Sequence, residues 1–319
     1  MTGAEQEFIE VTVRQATLEA DGVISLEMVP DSGLLPAWEP GSHLDIMLPS
    51  GLIRQYSLCS PPGDTSYYRI AVLRENHGRG GSAELHDTML VGRKVGIRGP
   101  RNHFPLEPSP RYLFIAGGIG ITPMLAMVIR AEREKSPYEL VYIGRDLGSM
   151  AFRQKLATGP HIKVLVSAET GRPDLAELVG SVTEDTLIYA CGPAGLLADL
   201  EKACEQAGRA GQLRLERFEA DGAAAAEAAS GDSFEVELKR SRTVLTVGPD
   251  DLMLDVIRDS CPDLMTSCEE GFCGTCETKV LDGEPEHHDT ILSEKERSAG
   301  KTMMVCVGRS KSPRIVLDL

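Results

Sequence analysis

Positive charge is scarce in this chain. Its 319 residues include 33 Lys and Arg against 48 Asp and Glu, a formal charge of −15. That balance argues against a nucleic-acid surface and against docking on anionic lipid, while it suits a basic patch on a protein partner. The first residues, Met1-Thr-Gly-Ala-Glu-Gln-Glu7, lack the apolar core of a secretory signal. No internal repeat is present. The longest uncharged stretch, Tyr112 to Ile129, approaches the length of a membrane span. Gly117, Gly118, Gly120 and Pro123 interrupt it, so a buried strand, a glycine turn and a helix start explain it better. Eight cysteines in a chain without a signal point to a reducing compartment. The expectation is a cytoplasmic protein, a monomer, with no nucleic-acid or membrane partner.

The length suggests about two or three domains. Up to about residue 104 the pattern is short strands between turns, among them Phe8–Val13, Ile24–Met28, His43–Leu48, Arg54–Leu58, Tyr68–Leu73 and Lys94–Ile97. Their spacing predicts a small antiparallel barrel. From about 110 to 218 strands and helices alternate: strand Tyr112–Ala116, helix Pro123–Arg133, strand Glu139–Ile143, then Met150–Leu156, His161–Ser167, Asp174–Val179, Thr186–Ala190 and Ala194–Ala207. This is the pattern of a parallel sheet covered by helices. Residues 221–232, Asp-Gly-Ala-Ala-Ala-Ala-Glu-Ala-Ala-Ser-Gly-Asp, offer nothing large to bury and read as a linker, with a short alanine helix as the competing reading. Beyond it, Phe234, Val236 and Leu238 alternate with charged residues as in a half-buried strand. A hairpin partner at Thr243–Val247, a helix over Asp250–Ser260, a strand at Thr278–Leu281, a short helix at Ser293–Ser298 and closing strands Met303–Val307 and Ile315–Asp318 complete a third unit.

Several motifs carry chemistry. Arg54-Gln-Tyr-Ser57 ends a barrel strand. Arg binds phosphate through two N–H groups, Tyr offers a flat face, and a Ser hydroxyl can bond a reactive ring nitrogen. An ordinary exposed strand is the alternative. His77-Gly-Arg-Gly-Gly-Ser82 precedes a helical stretch, and such glycines form a nest of N–H groups for phosphate. A plain glycine-rich hairpin loop would read the same. Ala116-Gly-Gly-Ile-Gly-Ile-Thr-Pro-Met124 joins a strand to a helix, where glycine lets the backbone approach a pyrophosphate. It departs from the dinucleotide fingerprint, because Pro123 stands where the last glycine belongs. Tyr189-Ala-Cys-Gly-Pro193 again lies at a strand end, where open parallel sheets bind ligands. Cys191 there can touch a nicotinamide or be a buried core residue. After the second α/β strand stand Arg145 and Asp146 side by side. An acid would accept a ribose 2′-hydroxyl and an Arg would hold a 2′-phosphate, so NADH and NADPH both stay open, with NADH preferred.

The last motif is the most telling. Cys268, Cys273 and Cys276 follow C-x4-C-x2-C spacing, and Cys306 stands far downstream. This is the plant-type [2Fe–2S] pattern. Zinc also takes four cysteines, but its sites pair two short C-x2-C knuckles, and here there is one triplet with a remote single. Gly271 and Gly274 permit the tight coil that three close ligands need. Glu269 and Glu270 on that loop either guide a partner or are simply solvated.

In order along the chain, Arg54-Gln-Tyr-Ser-Leu58, Gly78-Arg-Gly-Gly-Ser82, Ala116–Met124, Cys191-Gly-Pro193, Ser267-Cys-Glu-Glu-Gly271, Cys273-Gly-Thr-Cys276 and the tail Val305–Leu319 together resemble the phthalate dioxygenase reductase family. The resemblance spans nearly the whole chain. It implies an FMN-binding antiparallel β-barrel (1–105), an α/β parallel-sheet NAD-binding domain (106–220), the linker (221–232) and a β-grasp ferredoxin domain (233–319). It implies that Arg54, Tyr56 and Ser57 meet FMN and that Ala71, Val72 and Leu73 offer it their backbone. Arg79, Gly80, Gly81 and Ser82 then hold its phosphate, with Arg79 favouring FMN over FAD. Gly118, Gly120, Thr122, Arg145, Asp146, Cys191, Gly192 and Pro193 serve the nicotinamide cofactor, and Ser57, Thr122 and Cys191 surround the reacting atoms. Phe218 matches the family's aromatic flavin cover. The function implied is an oxygenase reductase, passing electrons from NADH through FMN to the cluster and on to a terminal Rieske-type oxygenase. A cytochrome P450 partner and a redox sensor without turnover are the alternatives.

Overall fold

The computed structural model describes residues 8–75, 80–88, 90–156, 159–218 and 230–319. Arg79 and residues 221–229 of the expected linker lie outside these. The chain divides into two compact units at Phe218/Glu219.

The first unit opens with strands β1 (Ile9–Ala20), β2 (Val23–Pro30), β3 (Ser42–Met47), β4 (Ile53–Ser57), β5 (Tyr68–Leu73) and β6 (Lys94–Asn102). They form one antiparallel sheet in the order β4-β3-β6-β1-β2-β5. Leu58 bridges Ile70, so the two edges meet and the sheet curls into a barrel. Leu44, Ile46, Ile70, Val72 and Ile97 fill its core. A short helix, α1 (Gly81–Asp87), follows β5.

The second sheet of this unit is parallel, in the order β11 (Leu213–Glu216), β10 (Thr186–Cys191), β7 (Arg111–Gly117), β8 (Tyr138–Gly144) and β9 (Ile162–Val166). β7 is buried from Tyr112 to Gly117, as expected of a strand covered on both faces. Helix α2 (Ile121–Glu134) packs Ile121, Met124, Met127 and Ala131 onto it. Of the helix expected over Met150–Leu156 only α3 (Arg153–Leu156) forms, because Phe152 takes a left-handed conformation with φ 59°. Helices α4 (Ser167–Thr170), α5 (Leu175–Gly180) and α6 (Ala194–Gln206) complete the layer. One apolar cluster joins Val23, Cys59 and Ala71 of the barrel to Phe114, Tyr142 and Cys191 of the parallel sheet.

The second unit holds a mixed sheet, β13 (Thr243–Val247), β12 (Phe234–Leu238), β18 (Arg314–Leu317), β14 (Glu277–Asp282) and β16 (Thr302–Met304), with β12 and β18 parallel. A two-stranded ribbon pairs β15 (Pro285–Glu286) with β17 (Arg309–Ser310). Helix α7 (Met253–Ile257) places Met253, Leu254 and Ile257 in the same core as Val236 and Leu238. This is the β-grasp ferredoxin arrangement. The expected helix over Asp250–Ser260 starts late, because the Asp251 carboxylate accepts the Gly248 N–H (3.0 Å) in the preceding turn. Helix α8 (Glu294–Ala299) is capped by Ser293, with Glu296 returning the bond. No helix among the described residues is long and apolar enough to cross a membrane.

At the carboxyl ends of β7 and β10 two loops meet backbone to backbone. A Cβ on Gly120 would lie 2.2 Å from the Cys191 carbonyl oxygen, and one on Gly192 would lie 3.0 Å from the Gly117 Cα. Gly120 has φ −61°, a conformation open to any residue, so its identity is set by space alone. Gly120→Ala is therefore expected to cost about 2 kcal/mol of overpacking strain. Thermal unfolding followed by circular dichroism checks this, with a fall in Tm of roughly 4–8 °C expected; an unchanged Tm contradicts the contact.

Candidate functional site

The end of β4 carries Arg54, Tyr56 and Ser57. Ser57 is 4% exposed, and its Oγ has no hydrogen-bond partner among the described residues. A buried hydroxyl left unpaired is costly, so a group from outside the chain must complete it. Tyr56 packs on the barrel core, and burial lifts its phenol well above the usual range. Arg54 lies along the start of α1: a Cβ on Gly81 would come within 2.6 Å of its Cγ. Gly80, with φ 84°, turns the chain into that helix. The Ser82 hydroxyl accepts the Glu75 N–H at 3.0 Å, which leaves its proton free to donate. Thus Arg54 and the Gly80–Ser82 turn are neighbours, as a phosphate cradle needs.

Ala71 and Leu73 of β5 join the apolar cluster that also holds Cys191, with Ile119 and Phe218 packed against it. The Val72 carbonyl faces His86 Nε2 at 3.0 Å. On the parallel-sheet side, Gly118 to Gly120 form a tight 3₁₀ turn before α2. Gly118 has φ 55° and open space where a Cβ would be. Thr122 is 2% exposed, and its Oγ1 donates to the Ile119 carbonyl at 3.0 Å, bracing the turn. Cys191 is fully buried, and burial, with Glu216 adding to it, raises its thiol well above the usual range. It stays a neutral thiol. Gly192 and Pro193 lie against Gly117.

Sequence reasoning passed over Glu216. It sits opposite Cys191 in the β10–β11 register. Its Oε2 is buried with no hydrogen-bond partner among the described residues, and burial lifts the carboxyl from 4.5 to about 8. The signal was its place at the carboxyl end of a parallel strand, two residues before Phe218. At the end of β8, Arg145 is 84% exposed and pairs with Asp146 (Nε–Oδ2 3.2 Å). The Ser149 N–H bonds the Asp146 carboxylate and, together with Arg145, holds it below the usual range.

In the second unit Cys268, Cys273, Cys276 and Cys306 are each between 1% and 4% exposed, and none forms a disulfide. Three stand on an irregular loop in which Gly271 (φ 78°), Gly274 (φ 73°) and Glu269 (φ 53°) take left-handed conformations. Backbone N–H groups are aimed at sulfur: Glu270 at Cys268, Cys268 and Thr275 at Cys273, each at 3.4 Å. Such donors stabilise thiolates bound to iron. Among the described residues no three His, Cys, Asp or Glu groups close on a point where a lone ion would sit. A two-iron core divides its four thiolates between two metals, so the donor set suits it. Cys306 stands on a turn, because the strand expected over Met303–Val307 ends at Met304. Glu269, its side chain 33% exposed, accepts from Thr266 Oγ1 (2.8 Å) and Arg258 (3.1 Å).

Comparison with known proteins agrees with this layout. Residues 236–311 match the model of a 2Fe-2S iron-sulfur cluster binding domain. The chain is 40% identical over 320 residues to vanillate O-demethylase oxidoreductase of Pseudomonas sp. (strain HR199 / DSM 7063), covering 98% of this chain and 100% of that one. It is 38% identical to phenoxybenzoate dioxygenase subunit beta of Ectopseudomonas oleovorans, covering 98% and 97%. Among solved structures it is similar to phthalate dioxygenase reductase, with TM-score 0.72, 33% identity and 98% of both chains covered. It is similar also to an intact type IV self-sufficient cytochrome P450 monooxygenase, with TM-score 0.86 and 38% identity over 98% of this chain, which spans 41% of that protein. With identity at this level along nearly the full length of both partners, the chain belongs to the phthalate dioxygenase reductase family and is a pyridine-nucleotide-dependent flavin and iron–sulfur oxidoreductase.

Proposed function

We propose that this protein is the reductase component of an oxygenase system, taking electrons from NADH and delivering them singly to a terminal, Rieske-type oxygenase. The observation that carries the reading is the cage of four buried sulfurs with backbone N–H groups aimed at it, in one chain with a strand-end nucleotide turn. Bound FMN supplies the exchange of a hydride for single electrons, and the [2Fe–2S] cluster takes them one at a time. The chain's own residues do the placing. Arg54 with Gly80, Gly81 and Ser82 holds the phosphate end of FMN. Tyr56, Phe218 and the unpaired Ser57 hydroxyl would hold its ring, the hydroxyl through a hydrogen bond. Gly118 and Gly120 give the nicotinamide cofactor access to peptide N–H groups, while Thr122 keeps their turn closed. Neutral Cys191 excludes water beside the reacting ring without adding charge. Arg145 and Asp146, paired at the end of β8, are set to meet the adenosine ribose. The acidic charge and the free thiols suit a cytoplasmic setting.

A cytochrome P450 acceptor is a second reading, favoured by the likeness to the self-sufficient monooxygenase. Reduction of purified candidate oxygenases by NADH in the presence of this protein decides between the two.

Two expected outcomes test the division of labour. Cys273→Ser abolishes NADH-driven reduction of cytochrome c, a one-electron acceptor served by the cluster, while ferricyanide reduction by the flavin continues; loss of both in flavin-replete protein counts against it. Ser57→Ala lowers kcat/KM for NADH with ferricyanide about tenfold, or ~1.4 kcal/mol, at unchanged flavin content. A rate equal to that of the unaltered protein would show that the hydroxyl does not face the ring.

A further inference from the structure

Residues 287–292 lie between β15 and the cap of α8, outside the cluster loop. Asp289 is buried, its side chain 1% exposed. Its Oδ1 accepts the N–H groups of Ile291 (3.1 Å) and Leu292 (2.8 Å), closing a tight turn. Arg297, in the last turn of α8, donates to the Asp289 carbonyl and to the Leu292 carbonyl, the latter at 3.0 Å. The turn is thereby fixed from within and from behind.

Its other side touches the cluster loop. The Thr290 N–H donates to the Gly271 carbonyl at 3.0 Å. A Cβ on Gly271 would meet Asp289 Cα at 3.1 Å and Val307 Cγ2 at 2.6 Å. Gly271, in a left-handed conformation, is thus clamped between this turn and the residue after Cys306, and it directly follows Glu270, whose N–H donates to the Cys268 sulfur at 3.4 Å.

Hydrogen bonds to cluster sulfurs offset the negative charge gained on reduction and so raise the potential. We propose that Asp289 is a positioning residue for the cluster: its turn holds the cluster loop at Gly271, and with it the adjoining Glu270 N–H on Cys268, and thereby sets the reduction potential. The inference rests on the cluster reading above. Two effects of Asp289 oppose each other. Its charge, partly balanced by Arg297 at 3.8 Å, would by itself lower the potential. Its geometry raises it.

The test is a potentiometric titration followed by electron paramagnetic resonance, on the full chain and on Asp289→Ala and Asp289→Asn. Iron and acid-labile sulfide are measured first in the unaltered protein; their absence would sink the cluster reading itself, separately from this inference. Asn keeps an acceptor oxygen for the Ile291 and Leu292 N–H groups, and Ala does not. The expected order is Ala below the unaltered protein by about tenfold in the reduction equilibrium, or ~59 mV, with Asn at or above it. If Ala fails to retain a cluster, retention by Asn at or above the unaltered potential still supports placement through Oδ1. An equal rise in both variants would mean that Asp289 acts as a bare charge. That result, no shift in either, or loss of the cluster from Asn overturns the proposal.

Discussion

Peptide groups approach one another with no side chain between them at both sites of this protein, and the chemistry depends on that closeness. Gly120 lies on the Cys191 carbonyl, Gly192 on Gly117, and Gly271 on the Asp289 backbone. Each glycine removes a Cβ that would hold two loops apart. What is gained is a set of N–H groups fixed in direction by the fold, which need no reorganisation when charge arrives. A ligand cradle built from side chains would have to order several rotatable bonds first.

Burial then decides the protonation of what stands nearby. Cys191 is held as a thiol and Glu216 keeps its proton up to about pH 8. At the carboxyl end of β10 and β11 the paired Cys191 and Glu216 therefore add no negative charge at neutral pH. The arrangement has a stability cost of known sign. The unfolded chain releases the Glu216 proton near 4.5 and the folded one only near 8. Stability from this group is full below 4.5 and declines as pH rises between the two values. A buried carboxyl kept under those terms serves the site rather than the fold.

Much of this was legible in the sequence because the motifs are local. Cysteine spacing, the glycine turn before α2 and the Arg54–Ser57 strand end each lie within about ten residues, and the alternation of Phe234, Val236 and Leu238 identifies β12. What escaped depends on contacts distant in sequence or on single backbone conformations. Glu216 gains its meaning only from its register with Cys191. Left-handed Phe152 shortens α3, and Asp251 spends its carboxylate on Gly248 rather than on the start of α7. Glu269 reads as a solvated acid but is tied down by Thr266 and Arg258. The shared core of the barrel and the parallel sheet, with Cys59 and Ala71 on one side and Phe114 and Tyr142 on the other, has no local signature at all.

The cage's construction also bears on how one scaffold serves different acceptors. Its donors are backbone N–H groups and the hydroxyl of Thr275, itself 8% exposed, and its cysteines are at most 4% exposed. Substitutions on the exposed surface around the loop can therefore change which acceptor docks while the sulfurs and their donors stay as they are. Relatives carrying dioxygenase and demethylase names, and a self-sufficient P450, match this chain over 98% of its length at 38–40% identity. The residues that choose an acceptor must then lie among exposed side chains rather than in the cage. Because exposed charges steer encounter more than they hold a complex, acceptor choice of this kind should be sensitive to salt, whereas the cluster's potential should not.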